Sequence, residues 1–181
     1  MKSRVIIIIL SALLVLSLAF NAIMILARIT YVNGSLETDV TGTLAPDFSV
    51  QLLTGETFTL SEHRGTVVVL DFWATWCGPC VLKMPTIQAL SEQFEGEVIF
   101  IGMNVGEFPE RIQNFIAERN FTYPIGLDEG AEIYGMLSPT SFLSVPYMVI
   151  INGDGIITET FSGYGPGNAE IYERAILEAL G

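Results

Sequence analysis

The chain of 181 residues holds two cysteines, Cys77 and Cys80, in the run Trp76-Cys77-Gly78-Pro79-Cys80. With two residues between them, the thiols can close a small disulfide and open it again, a two-electron exchange that needs no cofactor. The same atoms have three other uses. A structural disulfide of this span closes too short a loop to stabilise much. Zinc asks for four ligands, whereas the chain offers two cysteines and a single histidine, His63. Cu(I) is satisfied by two thiolates, with His63 or a methionine in support, so a thiol-based copper carrier stays as an alternative. His63 itself, in Ser61-Glu62-His63-Arg64, reads as an exposed loop residue.

The flanking elements decide how the pair is presented. Thr66 to Trp73 is apolar on both faces, which predicts a fully buried strand. Pro79 suits a first helical turn, where no N–H is needed. The helix should run to about Phe94, with Met84, Ile87, Leu90 and Phe94 inward. Cys77 then falls at the helix start, where unpartnered N–H groups and the positive end of the dipole favour a thiolate. Cys77 is expected to be the exposed, attacking sulfur. Cys80, one turn further in, is expected to be the shielded one that resolves the mixed disulfide.

Around this centre, residues 48–52 and 57–60 alternate across a turn and predict a β-hairpin. A second buried strand is expected at 98–103, then an amphipathic helix with Phe108, Ile112, Phe115 and Ile116 inward. A short strand at 123–127 and a short helix at 131–137 follow. Tyr147 to Ile151 is turned by Gly153-Asp154-Gly155 into Ile156 to Phe161. Asn168 is expected to cap a last helix that buries Tyr172, Ala175, Ile176 and Ala179. Strands joined by helices pair in parallel and strands joined by tight turns pair antiparallel. The order therefore predicts an α/β domain with a central mixed β-sheet flanked by helices, preceded by a hairpin.

Residues 5–27 are apolar and uncharged. At about 1.5 Å per residue they reach across a hydrocarbon core of roughly 30 Å. Lys2 and Arg4 precede the run, which places the N-terminus in the cytoplasm and the remainder outside. The expected organisation is a single-pass membrane anchor at 1–29, a linker at 30–44 and a folded domain at 45–181. A cleaved signal peptide is the other reading, but the run is long for one and Ala19-Phe20-Asn21-Ala22 is a poor cleavage site. Beyond residue 36 stand 20 acidic and five basic residues, a net charge of −15. That balance excludes nucleic acid as a partner, because phosphate binding needs a basic footprint.

Asp71-Phe72-Trp73-Ala74-x-Trp76-Cys77-Gly78-Pro79-Cys80 resembles the thioredoxin active-site segment. The domain as a whole resembles the membrane-anchored TlpA/ResA type of thiol–disulfide oxidoreductase. Ala45-Pro46-Asp47-Phe48 with its hairpin, Asn104-Val105-Gly106-Glu107, Val145-Pro146-Tyr147 and Asn152-Gly153-Asp154-Gly155 carry the likeness. The resemblance implies a thioredoxin-like fold and no cofactor. It also implies that Asp71 is the buried acid that moves the proton of the second cysteine, Pro146 a cis-proline opposite the cysteines, and Pro85 a helix-kinking proline. Client binding falls to Trp76, Gly78, Pro79, Val145 and Pro146. The implied activity is reduction of protein disulfides outside the cytoplasm, with a membrane electron donor of CcdA/DsbD type and apocytochrome c as a client. An oxidase or isomerase of secreted proteins uses the same residues. Three features depart from the pattern: Lys83 stands where a glutamate is common, Tyr147 where a threonine is common, and 138–144 is longer than usual. The acid work then falls on Asp71 alone, or on Glu107 if it points inward.

Overall fold

The computed structural model describes residues 15–24, 39–140 and 142–181. Residues 15–24 are helical. Among the described residues no helix is long and apolar enough to cross a membrane. The rest of the run expected to anchor the chain lies outside the described residues.

In the domain, β1 (Ser49–Gln51) and β2 (Thr57–Thr59) form the hairpin, with Val50 opposite Phe58. The remaining strands are β3 (Val67–Trp73), β4 (Val98–Val105), β5 (Ile125–Asp128), β6 (Tyr147–Ile151) and β7 (Ile157–Ser162). They make one sheet in the order β5-β4-β3-β6-β7. β3 pairs in parallel with β4, and β4 with β5, whereas β6 runs antiparallel to both β3 and β7. The mixed sheet is the expected one. Its parallel half is joined by helices and its antiparallel half by the Asn152–Gly155 turn, whose tightness leaves no length for a crossover.

The helices are α1 (Gly78–Gln93), α2 (Pro109–Ala117), α3 (Glu132–Leu137) and α4 (Asn168–Leu180). On one face of the sheet, Val67, Val69 and Trp73 pack with Cys80, Met84 and Ile87 of α1, Ile112 of α2 and Tyr172 and Ile176 of α4. On the other, Val68, Leu70 and Phe72 pack with Phe48, Val50 and Phe58 of the hairpin and Tyr134 and Leu137 of α3. β3 is covered on both sides, so all seven of its residues are buried. Such a strand can afford a polar side chain only if a partner is buried with it.

Four expectations need correction. Phe108 does not face inward: it precedes α2 and is 73% exposed, because Pro109 takes the first helical position, and Ile112 with the partly buried Phe115 and Ile116 meets the core. Asn168 does not cap α4. It is the first helical residue, and its Oδ1 accepts a hydrogen bond from the Gly165 N–H upstream. His63 is not a free loop residue, since residues 60–63 form a 3-10 turn that stacks its ring on Phe58, centroids 4.6 Å apart. Phe58 belongs to the face opposite the cysteines, so the sheet stands between that ring and the disulfide. Finally, β4 extends two residues beyond the expected end, to Val105.

Candidate active site

The strand register gathers the site at one end of the sheet. Trp73, the last residue of β3, pairs with Asn104 near the end of β4. Phe72 pairs with Tyr147, the first residue of β6. The segments 74–77, 105–108 and 144–146 therefore leave or enter the sheet side by side. This is where parallel strands present their carboxyl ends, the usual place for a site in an open α/β sheet.

Cys77 and Cys80 are joined as a disulfide, Cα atoms 5.3 Å apart. Cys77 is the N-cap of α1, and its Sγ accepts a hydrogen bond from the Cys80 N–H at 3.2 Å. Pro79 stands in the first turn, as its missing N–H allows. Pro85 lies inside the helix and removes the N–H that would bond the Val81 carbonyl. Cys80 is fully buried, but Cys77 is also only 4% exposed, a correction to the exposed sulfur expected. The cause is local: Trp73, Ala74 and Met84 pack in the same cluster as both cysteines. What the surface shows is Trp76, 60% exposed, with Gly78 and Pro79. The Val145–Pro146 peptide is cis. Pro146 is buried, while Val145 is half-buried and packs against the clusters on both faces of the sheet.

Asp71 is buried on the face of β3 that carries Val69 and Trp73. Its register partners, Gly102 and Met148, are uncharged. Gly102 must be glycine, because a Cβ there would lie 2.8 Å from the Tyr123 ring and 3.1 Å from Trp73 Nε1. Lys83, fully buried on α1, makes an ion pair with Asp71 Oδ1. Burial drives the Asp71 pKa up, and the charge and hydrogen bonding of Lys83 hold it back without cancelling the rise.

Glu107 points inward, but away from acid chemistry. Its Oε2 accepts from the Thr75 N–H at 2.6 Å and from Asn104 Nδ2 at 3.0 Å. Its Oε1 accepts from the Thr75 hydroxyl at 2.5 Å and pairs with Arg111 Nε at 2.9 Å. Burial alone would raise its pKa, but these hydrogen bonds and the Arg111 charge outweigh it and lower the carboxyl below its ordinary range. Glu107 thus ties the β4–α2 loop to Thr75, two residues before Cys77. Glu107→Ala leaves the Thr75 N–H and the Asn104 amide without their acceptor, a loss of about 1–3 kcal/mol. The native pKa is lowered, so the advantage of wild type over Glu107→Gln is present above the ordinary glutamate value of 4.5. It is lost as pH falls through the native value, and urea melts across that range measure it.

Nothing in the sequence marks out Thr75 or Arg111, Asn104 enters only within the segment Asn104–Glu107, and Lys83 only as a departure. A signal for Lys83 did exist. The inward set Cys80, Met84 and Ile87 shares its helical face with position 83, three residues after Cys80. Tyr147, the other departure, is buried and donates to the Leu137 carbonyl at 3.1 Å, and burial pushes its pKa up to about 12. The segment before Pro146 is tied down by the Tyr134 hydroxyl, which accepts from the Ser144 N–H at 2.9 Å. Among the described residues no group of three or more His, Cys, Asp or Glu is placed to hold a metal.

The folded part of the chain is similar to known proteins along most of its length. The model of the Redoxin family matches residues 40–178. The thiol-disulfide oxidoreductase ResA of Bacillus thuringiensis subsp. konkukian is 34% identical over 127 residues, covering 67% of this chain and 69% of that protein. A solution structure of a candidate protein disulfide isomerase from Bacteroides thetaiotaomicron superposes with a TM-score of 0.70 at 33% identity, covering 77% of this chain and 89% of that one. A thiol:disulfide interchange protein of the thioredoxin family from Chlorobium tepidum gives a TM-score of 0.67 at 23% identity, over 80% and 100% of the two chains, a likeness of fold alone. A vicinal redox pair at the mouth of a thioredoxin-like sheet, in a chain matched along nearly all of its folded length, places this protein in the Redoxin family as a thiol–disulfide oxidoreductase of the ResA type.

Proposed function

We propose that the domain stands outside the cytoplasm on an N-terminal anchor and reduces protein disulfides there by dithiol–disulfide exchange. The observation that carries this is the Cys77/Cys80 pair, whose second sulfur is sealed in the core above a buried carboxyl, Asp71. Cys77 attacks a client disulfide as the thiolate. Cys80 then gives up its proton, attacks Cys77 Sγ, and releases the client as a dithiol. Two electrons pass from the cysteine pair to the client, whose sulfurs take up two protons. Trp76, Gly78, Pro79, Val145 and Pro146 line the approach, and the half-buried Val145 offers its backbone to an extended client segment. Gly-Pro between the cysteines is the dipeptide of reducing thioredoxins. The resemblance to the TlpA/ResA type makes apocytochrome c the client to try first, with a membrane electron donor of CcdA/DsbD type restoring the dithiol.

A redox titration tests the direction. A value close to that of thioredoxin, about −270 mV, is expected, and one above about −150 mV overturns the reductant and favours the oxidase reading. Place is read by thiol labelling. Once the pair is reduced, a membrane-impermeant maleimide should label Cys77 in intact cells, and protection until lysis overturns the extracytoplasmic assignment. The copper carrier predicts Cu(I) held against a competing chelator with slow disulfide exchange. Of the supporting ligands it could call on, His63 lies on the far side of the sheet, whereas Met84 packs in the same cluster as both cysteines.

A further inference from the structure

Lys83 and Asp71 are almost completely shielded from water, at 0% and 1% exposure, and form an ion pair across the gap between α1 and β3. Beyond that contact, neither charged group has a hydrogen-bond partner among the described residues. A buried pair with no further donors or acceptors recovers little more than its desolvation cost, and often less than two apolar side chains of the same volume would contribute. Stability does not account for it. Its place does suggest a reason. Lys83 follows Cys80 by three residues and lies on the same face of α1, one turn deeper. Asp71 lies on the same face of β3 as Val69 and Trp73, which pack in one cluster with Cys80 and Met84. The ion pair therefore lies in the same helix–sheet interface that buries the sulfur that must lose a proton.

We propose that Lys83 is a positioning residue for the exchange: its ammonium holds Asp71 as a carboxylate in the core, ready to take the Cys80 proton. This rests on the dithiol reading above and adds the means by which a buried acid stays a base. In the resolving step the proton passes from the Cys80 thiol to Asp71, and the new thiolate forms the bond to Cys77 Sγ. The bond from Cys77 to the client sulfur breaks, and that sulfur leaves as the client's second thiolate. Through that step the pair changes from carboxylate with ammonium to carboxylic acid with ammonium. The groups facing Asp71 are few. From α1 they are Lys83 and the cysteines. Tyr123, ahead of β5, and Tyr172, on α4, are both held protonated, first by burial and then by the charge of Asp71. β4 and β6 contribute Gly102 and Met148, which do not titrate. Lys83 is the one cation among these neighbours.

The test follows reduced protein reacting with oxidised glutathione, quenched in acid and resolved by mass spectrometry, so that the glutathione adduct and the closed disulfide are counted separately across pH. In Lys83→Met the adduct should accumulate. The midpoint of its decay should move to higher pH by about 1–3 units, the shift that loss of a contacting opposite charge gives. At pH values below that midpoint, decay should be at least about tenfold slower than in wild type, each unit being a factor of ten. In an Asp71→Asn background, decay should be slow at neutral pH and rise only where the Cys80 thiol itself ionises, and Lys83→Met should not restore the wild-type rate. An unmoved midpoint in Lys83→Met, with Asp71→Asn still slow, overturns the role of Lys83 and leaves Asp71 as the base. Asp71→Asn resolving as fast as wild type removes the acid altogether. Failure of the wild type to form any adduct or closed disulfide refutes the exchange function itself. Should Lys83→Met not fold, carbon-13 NMR of aspartate carboxyls in reduced wild type, with Asp71→Asn to assign the signal, decides. Asp71 ionised at neutral pH supports the proposal, and Asp71 protonated there overturns it.

Discussion

Replacing Cys77 with serine is expected to reduce disulfide exchange to the uncatalysed background, and replacing Cys80 is expected to leave a client trapped on Cys77. A serine hydroxyl does not ionise near neutral pH, so the helix end that favours a thiolate has nothing to act on. Cys80 is fully buried and has one sulfur within reach, that of Cys77. It therefore serves only the second half of the reaction. Without it, attack on the client proceeds and release does not. The adduct should survive non-reducing electrophoresis and name the client by mass spectrometry. Absence of any adduct from Cys80→Ser, while wild type turns over, contradicts the two-cysteine scheme. The buried serine hydroxyl gains no designed partner and costs about 1–3 kcal/mol, so the variant should still fold.

Asp71→Ala should be the most damaging single change to stability, at about 3–5 kcal/mol, because it strands the Lys83 ammonium in the core without its counter-charge. Joint replacement, Asp71→Leu with Lys83→Met, should be neutral or stabilising, since two apolar side chains of similar volume need no solvation. Urea midpoints for Asp71→Leu, Lys83→Met and the double variant measure the coupling, and additive effects would contradict the ion pair. Asp71 also carries a pH signature opposite to that of Glu107. Its native pKa is raised by burial above the ordinary value of 3.8. The fold therefore favours its protonated form. That contribution is complete below the unfolded carboxylate value and is lost as pH rises through the native one. Relative to Asp71→Asn, wild type should weaken as pH increases over this interval, whereas relative to Glu107→Gln it should strengthen with pH.

The elements of the fold were legible because their signals are local. An apolar run flanked by turn residues gives β3, and a proline at a first helical turn gives the start of α1. Strict alternation gives the hairpin, and the Asn152–Gly155 turn joins β6 to β7. Sequence failed where one residue decides between core and solvent at an element end. Phe108 has the spacing of an inward residue, but Pro109 begins the helix just after it and turns it out. Asn168 has the chemistry of a cap, but Gly165 is nearer to its oxygen. Glu107 could be noted as a carboxylate after β4. That it serves Thr75 depends on Trp73 and Asn104 being paired across two strands, a register no local pattern specifies.

Taken alone, the sequence determined that this protein exchanges disulfides. The spacing of Cys77 and Cys80, the strand before them and the helix after them are consecutive along the chain, and covalent connection fixes their relation. Tertiary structure alone decided what stands behind the pair. A lysine on an amphipathic helix reads as a solvated charge, and its long side chain can reach water from many positions. Here β3 is sealed on both faces and its one carboxylate meets α1 one turn below Cys80, so Lys83 is drawn inward. That choice depends on which charge lies across the helix–sheet interface, and the two residues that make it are 12 positions apart on different elements.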